Sequence, residues 1–252
     1  MENVLTDFNK KVEKPEIDKS AYISSQSAVI GDVHLGKNVY VGPHAFVRGD
    51  EGQSLFVGDN SNIQDGAGIH ALETEETKDS EKWEYLDNRL YNESGKLLSK
   101  EEAEKEKGYA VYIGKAVSLA HQSLVHGPAY VGDSTFVGMQ SQVFNAKIGR
   151  HVAIGVKSLI TGGVSIPDNT FVPPGSVITT QEQADALGPR IGSPYENTNA
   201  KVVHVNMSLA NAYNGNKLEK EEHSEAQTEQ AAADTTKTYA ESTETSKSEA
   251  TH

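Results

Sequence analysis

Residues 131–160 read VGDSTFVGMQSQVFNAKIGRHVAIGVKSLI, and an aliphatic side chain returns at every sixth place. Val131, Val137 and Val143 keep the interval, one residue is skipped, and Ile148, Ile154 and Ile160 resume it. Upstream the same spacing joins Ile113, Leu119 and Val125; downstream it reaches Ile166, Val172 and Ile178. Nearer the N-terminus it links Ile23, Val29, Leu35, Val41 and Val47, then resumes at Val57, Ile63 and Ile69. Glycine often follows the aliphatic residue, as at Gly132, Gly138, Gly149 and Gly155. A period of six is neither the helical 3.6 nor the alternation of a half-buried strand. It fits short strands joined by tight turns, with glycine taking conformations that other residues resist. A β-sandwich, whose strands and turns vary in length, would lose this register.

Two segments fall outside the repeat. Residues 73–108 form a charged insertion with twelve acidic and seven basic side chains across 73–107. Within it SKEEAEKEK (99–107) predicts a short helix, with Ser99 as cap and Glu102 three places on. Towards the C-terminus SPYENTNAKVVHVNMSLANAYNGNKL predicts a helix from about 195 to 213, inside a segment 195–217 expected to pack on the β domain 1–194. Residues 218–252 are rich in Ala, Glu, Thr and Ser and have too little apolar surface to offset ordering, so disorder is expected there.

The net charge of -13 argues against nucleic acid and anionic membranes as partners. Most of it sits in the insertion and the tail, and the remainder is near neutral. The absence of cysteine excludes disulfides, thiolate ligands and a cysteine nucleophile. No apolar run approaches the ~20 residues that span a bilayer. The start MENVLTDFNKKVEKPEID has no signal-peptide core, which predicts a cytoplasmic protein, a trimmed export signal being the alternative.

The chemistry is concentrated in histidines. His121 and His126 stand five apart in SLAHQSLVHGPAYVGD, and His70 lies in NIQDGAGIHALE. Three histidines suit a catalytic metal with a fourth position open to water. Five residues is not the spacing of one helix face, and an odd interval puts two strand residues on opposite faces. The repeat resolves the difficulty. His70 follows Ile69 and His126 follows Val125, so both hold the same place in their hexapeptides and can stack on one face. His121 lies two places after Leu119 and points elsewhere. A neighbouring copy presenting its own His121 would complete the set, and a cyclic trimer would give three equivalent sites. Taken singly, each histidine is an ordinary polar turn residue; the matched register separates this pair from the others.

The stretches FVRGDEG (46–52), NIQDGAGIHALET (62–74), YAVYIGKAVSLAHQSLVHGPAYVGDSTFVGMQ (109–140) and VNMSLANAY (205–213) resemble the gamma-class carbonic anhydrases, especially the methanogen-type enzymes. The likeness covers roughly residues 15–213 apart from the interior of the insertion. It implies a mainly β fold, a left-handed parallel β-helix of hexapeptide repeats with a C-terminal α-helix; the period alone does not give the hand. It implies a homotrimer in which His70, His121 and His126 hold zinc, or iron(II) or cobalt, with His121 contributed across the interface. The family reaction is the hydration of carbon dioxide to bicarbonate by metal-bound hydroxide. Glu51 matches the glutamate that accepts a proton at the metal, and Glu73 matches the outer shuttle to solvent. Gln64 matches the residue that orients the hydroxide, and Asn206 the one that positions carbon dioxide or bicarbonate. Arg48 and Asp50 match a charged pair between subunits, with Asp65 a partner in such a network.

Some positions depart from the family pattern. His204 stands where the methanogen-type enzyme has tyrosine, and the only tryptophan, Trp83, lies in the insertion. The insertion is longer than the family's, so Glu75, Glu76 or Glu84 could share the shuttle role. Two rival readings remain. A hexapeptide acyltransferase needs one basic histidine and an acyl-donor groove, and has no use for three ligands with Gln64 and Glu51. A trimeric scaffold or binding module would keep the metal and lose the need for a glutamate relay.

Overall fold

The computed structural model describes residues 1–72, 89–103 and 105–215. Glu73, Glu75, Glu76, Glu84, Trp83 and the tail 218–252 lie outside the described residues. The chain runs through β1 (Glu16–Ile17), β2 (Tyr22–Ile23), β3 (Ala28–Gly31), β4 (Val33–Leu35), β5 (Tyr40–Val41) and β6 (Phe46–Gly49). After β7 (Leu55–Val57), β8 (Asn62–Ile63) and β9 (Gly68–His70) comes the insertion, with α1 (Lys100–Ala103). The repeat returns in β10 (Val111–Ile113), β11 (Ser118–Leu119), β12 (Leu124–Val131), β13 (Phe136–Val137) and β14 (Gln142–Ile148). It ends with β15 (Ala153–Ile154), β16 (Leu159–Ile160), β17 (Ser165–Ile166), β18 (Phe171–Val172) and β19 (Val177–Ile178). Two helices follow, α2 (Gln181–Asp185) and α3 (Thr198–Tyr213).

All named strand pairs are parallel, and they wind into a left-handed β-helix. The hand is exceptional, since parallel crossovers are otherwise nearly always right-handed. One seven-stranded column shows the winding, pairing Ile23 with Val41, Val41 with Ile63, Ile63 with Leu119, Leu119 with Val137, Val137 with Ile154 and Ile154 with Val172. A step of eighteen residues is one coil of three hexapeptides. Every aliphatic residue of the sequence repeat is buried except Ile23 in the first coil, which is partly covered. The interior is narrow enough that little but Val, Leu, Ile and Ala fills it.

Departures from eighteen have local causes. From Val41 to Ile63 the step is twenty-two, because the loop after β6 adds four residues. From Val131 to Ile148 it is seventeen. There His126 pairs with Phe144 and Ala129 with Ala146, so Asn145 alone faces Gly127 and Pro128, whose peptide bond is cis. The tight corners put non-glycine residues such as Asn38, Asn60, Ala116, Ser134, His151 and Asn169 in the left-handed region. One corner column alternates in charge: Asp59 accepts from the Lys37 backbone N–H at 2.8 Å, Asp133 from Lys115 at 2.8 Å and Asp168 from Arg150 at 2.7 Å.

The open ends of the sheets are covered. The Met1 ammonium donates to the Val29 carbonyl and the Met1 carbonyl accepts from Gly31, occupying the outer edge of β3. At the other end α2 is held by a capping box between Thr180 and Gln183. Its Gln181 amide pairs with both backbone groups of Ser165 at 2.8 Å, in place of a further strand. Covered edges of this kind prevent unwanted pairing with other chains. The third helix lies on the seven-stranded column, against β2, β5, β8 and β11. It begins at Thr198, three residues after the expected start, because turns occupy Ser193–Asn197. No described helix is long and apolar enough to cross a membrane.

The return arm of the insertion packs outside the coils. Phe56, Tyr112 and Tyr130 stack on successive coils at 4.9 and 5.2 Å, and Tyr91 and Tyr109 close over them. In α1 the Ser99 backbone donates to the Glu102 carboxylate at 3.1 Å and the Glu102 backbone to the Ser99 hydroxyl at 3.3 Å, the reciprocal cap that the sequence predicts.

Two glycines separate strain from crowding. Gly31 (φ +77°) and Gly175 (φ +73°) share a left-handed backbone, but a Cβ on Gly31 would lie 2.1 Å from the Gly49 carbonyl oxygen, and one on Gly175 meets nothing within 4 Å. Gly175→Ala should cost about 1 kcal/mol, the left-handed penalty alone, and Gly31→Ala upwards of ~3 kcal/mol because backbone must move. Urea unfolding of both variants checks this, and equal midpoint shifts would contradict the packing described.

Candidate active site

Parallel stacking brings the first group of residues together. β9 ends at His70, which stands beside His126 of β12 in the ladder. The two imidazoles meet edge to face, centroids 5.2 Å apart. His126 Nδ1 donates to the Gly127 carbonyl at 3.0 Å, which leaves Nε2 as the lone-pair nitrogen. Burial pushes the His126 pKa down, favouring the neutral imidazole that a metal requires.

Strand β6, through Arg48, and the enlarged loop after it, through Asp50 and Glu51, bring three charged residues to this pair. Arg48 Nε lies 3.1 Å from Asp50 Oδ2, so these two pair within the chain. Glu51 Oε1 sits 3.2 Å from His70 Nε2 and 3.8 Å from Arg48 Nη2. The contact with His70 chiefly holds the Glu51 carboxyl below its usual range, overcoming the opposing effect of burial, with Arg48 and His126 adding to it. Although close, Glu51 does not lie along a hydrogen-bonding direction of the ring: His70 Nε2 and Asp50 Oδ1 are both buried with no hydrogen-bond partner. Asp50, Glu51 and His70 each present a ligand atom within 4.8 Å of the others. Two orphaned buried polar atoms beside the free His126 Nε2 belong to residue types that fit a divalent metal ion.

A second group lies on another face, under α3. Gln64 is buried and its Nε2 donates to Asn62 Oδ1 at 2.9 Å; Asn62 Nδ2 in turn donates to Ser118 Oγ at 2.9 Å. This chain fixes the Gln64 amide and leaves its Oε1 as acceptor. His121 Nδ1 lies 2.9 Å from Asp65 Oδ2. The buried Asn206 of α3 spends one amide hydrogen on the Val202 carbonyl. Tyr40, Gln64, Asp65, His121, Val202 and Asn206 line a cavity of about 340 Å³. The His121 side chain is 55% exposed, turned away from its own chain's core. His204 is exposed on α3, and its carbonyl accepts from Ser208.

Within one chain, then, His70 and His126 stand together with Arg48, Asp50 and Glu51, while His121 stands with Gln64, Asp65 and Asn206. Sequence reasoning did not single out Phe144, whose ring meets His126 edge to face on the same column, centroids 5.4 Å apart. Its place, eighteen residues after His126, was the available signal. Nor did it find Asn62, which orients Gln64; two polar residues in register on successive coils, Asn62 and Ser118, were the sign there.

Known proteins resemble this chain over most of its length. It is 46% identical over 215 residues to a carbonic anhydrase of Methanosarcina thermophila, covering 84% of this chain and 80% of that one. It is 36% identical over 208 residues to the carboxysome assembly protein CcmM of a Nostoc species, covering 82% of this chain and 33% of that one. A solved structure titled as a putative acetyltransferase of Bacillus cereus superposes with a TM-score of 0.58 at 20% identity, over 81% of this chain and 93% of that one. At that identity the likeness concerns the fold alone. No family model matches the chain.

Proposed function

Because the chain belongs to the gamma class of carbonic anhydrases, we propose that it interconverts carbon dioxide and bicarbonate at metal centres shared between copies of itself. The division of residues between two faces carries this reading. Among the described residues no third imidazole joins His70 and His126, and His121 stands exposed beside Gln64 and Asn206 with no second imidazole in the lining of its cavity. A ring of three would apply one face of each copy to the other face of the next and complete three sites. His70, His126 and the His121 of a neighbouring copy would then hold the metal, and three imidazoles suit zinc, cobalt and iron(II) alike.

Three ligands leave one position open, at which a divalent ion acidifies water to a pKa of about 7 and so supplies a nucleophile at neutral pH. The remaining work falls to the chain's own side chains. Glu51, ionised through its contacts with His70 and Arg48, accepts the proton from the attacking water. The Gln64 Oε1, fixed through Asn62, accepts a hydrogen bond from that water and aims its lone pair at the carbon. Asn206 retains one amide hydrogen and its carbonyl oxygen to position carbon dioxide or bicarbonate. Asp65 holds the His121 ring in orientation, a partner role that typically affects metal affinity ~10- to 100-fold. Arg48 and Asp50 brace Glu51. Glu73 is the outer proton carrier on the strength of its sequence match alone. The cytoplasm is the compartment proposed.

The similarity to CcmM favours a second reading, an assembly module that keeps the ring and the metal and hydrates little carbon dioxide. Stopped-flow hydration by anaerobically purified protein, loaded separately with zinc, cobalt and iron(II), separates the two. The proposal expects metal-dependent turnover that falls to the buffer rate in His121→Ala. Full loading with no turnover would instead favour assembly.

Metal content tests the ligand set. His70→Ala, His121→Ala and His126→Ala should each lose metal on dialysis, and Glu51→Gln should keep it while its turnover falls roughly 100-fold or more, the usual worth of a positioned base. Metal loss in Glu51→Gln with retention in His121→Ala would point to the intrachain cluster of Asp50, Glu51 and His70 as the site.

Sharing between chains has its own test. Equal mixing of inactive His70→Ala and His121→Ala subunits should restore up to about a quarter of wild-type activity, the share of interfaces that regain three histidines in a random ring. No recovery, with subunit exchange verified by mass spectrometry, would rule out a shared site.

A further inference from the structure

The return arm of the insertion delivers a fixed cation to the corner beside His126. Tyr91 and Tyr109 exchange backbone hydrogen bonds of 2.9 Å, the buried Tyr91 ring lies 5.9 Å from Tyr130, and Leu90 packs on the core. These contacts hold the arm in place, and its first described residue is Arg89. The guanidinium is half-buried, and its Nη1 donates to Asn145 Oδ1 at 3.4 Å, near the long limit for a hydrogen bond. Four of its five donors have no protein acceptor among the described residues, and no described carboxylate lies at ion-pair distance. Asn145 is the residue opposite the Gly127–Pro128 bulge. That bulge directly follows His126, and Phe144, just before Asn145, edges onto His126 at 5.4 Å. Arg89 thus stands one residue beyond the column of His70, His126 and Phe144.

We infer that Arg89 recruits bicarbonate to this site, as substrate in one direction of the reaction and departing product in the other. The inference rests on the carbonic anhydrase reading and adds a residue to it. A chain with net charge -13 repels an anion on approach, and Asp50 and Glu51 add two carboxylates at the site itself. Against that field, a guanidinium, which presents a planar fork of donors, is matched to a small oxyanion. A structural guanidinium would be expected to have a carboxylate or several carbonyls around it; among the described residues Arg89 has one weak neutral contact.

The test compares Arg89→Gln and Arg89→Lys with the wild type in two measurements. One is binding of bicarbonate to cobalt-loaded protein, followed through the visible bands of the ion; the other is the KM for bicarbonate in dehydration. At low ionic strength Arg89→Gln should weaken binding roughly fivefold and raise KM in parallel, and Arg89→Lys should stay within about twofold of wild type. The gap should close as salt approaches about 0.5 M, where the screening length falls to a few ångströms. Wild-type binding by Arg89→Gln at low salt would overturn the inference. So would equal, salt-independent losses in both variants, the pattern of a purely structural residue. If the wild type catalyses no hydration, the carbonic anhydrase reading falls separately, and the cobalt titration still decides whether Arg89 attracts the anion.

Discussion

Coil-to-coil hydrogen bonding in strict register is the constraint on which the rest of this molecule depends. Each parallel pair fixes the neighbour of every side chain on the next coil. Apolar residues at one place fill a narrow interior with few alternatives. Residues at the adjoining place form outward columns, and the column His70, His126, Phe144 is the one that matters for chemistry. Two imidazoles 56 residues apart in sequence meet at 5.2 Å because each follows an aliphatic residue of the same column.

Function appears where the repeat is broken. A four-residue enlargement carries Asp50 and Glu51 out to His70. The insertion leaves two residues after His70 and brings Arg89 back beside the same corner. The missing residue opposite Gly127–Pro128 leaves Asn145 where that arginine can reach it. Three interruptions of an otherwise regular coil converge within one or two residues of the histidine column. Local departures from a folding rule are expected at functional positions and not across the scaffold.

The repeat was legible from sequence because a six-residue period admits few other structures, and its predicted interior from Val29 to Ile178 is the observed one. The segregation of His121 from His70 and His126 was legible for the same reason: register is arithmetic. What arithmetic could not supply was the behaviour of the aperiodic parts. Tyr91 lies inside the charged insertion and Tyr109 just past it, outside the six-residue period, yet their rings close over Phe56, Tyr112 and Tyr130 through long-range packing. The bond from Gln64 to Asn62 joins two residues on one side of a strand end, and depends on rotamers that spacing does not encode. The pairing of Arg48 with Asp50 inside one chain follows from the turn of the enlarged loop.

The stack of coils is also a zipper with two ends. Each coil contacts chiefly its neighbours, so loosening propagates inward from either terminus, one coil at a time. The Met1 contacts and the Gln181 amide close those ends, and they are the first bonds that fraying must break. The histidine column lies between, with β3 and β6 on one side and β14, β16 and β19 on the other. Its amides therefore belong to the part of the molecule that opens last, and the site's geometry is insulated from breathing at the tips by the number of coils stacked outside it.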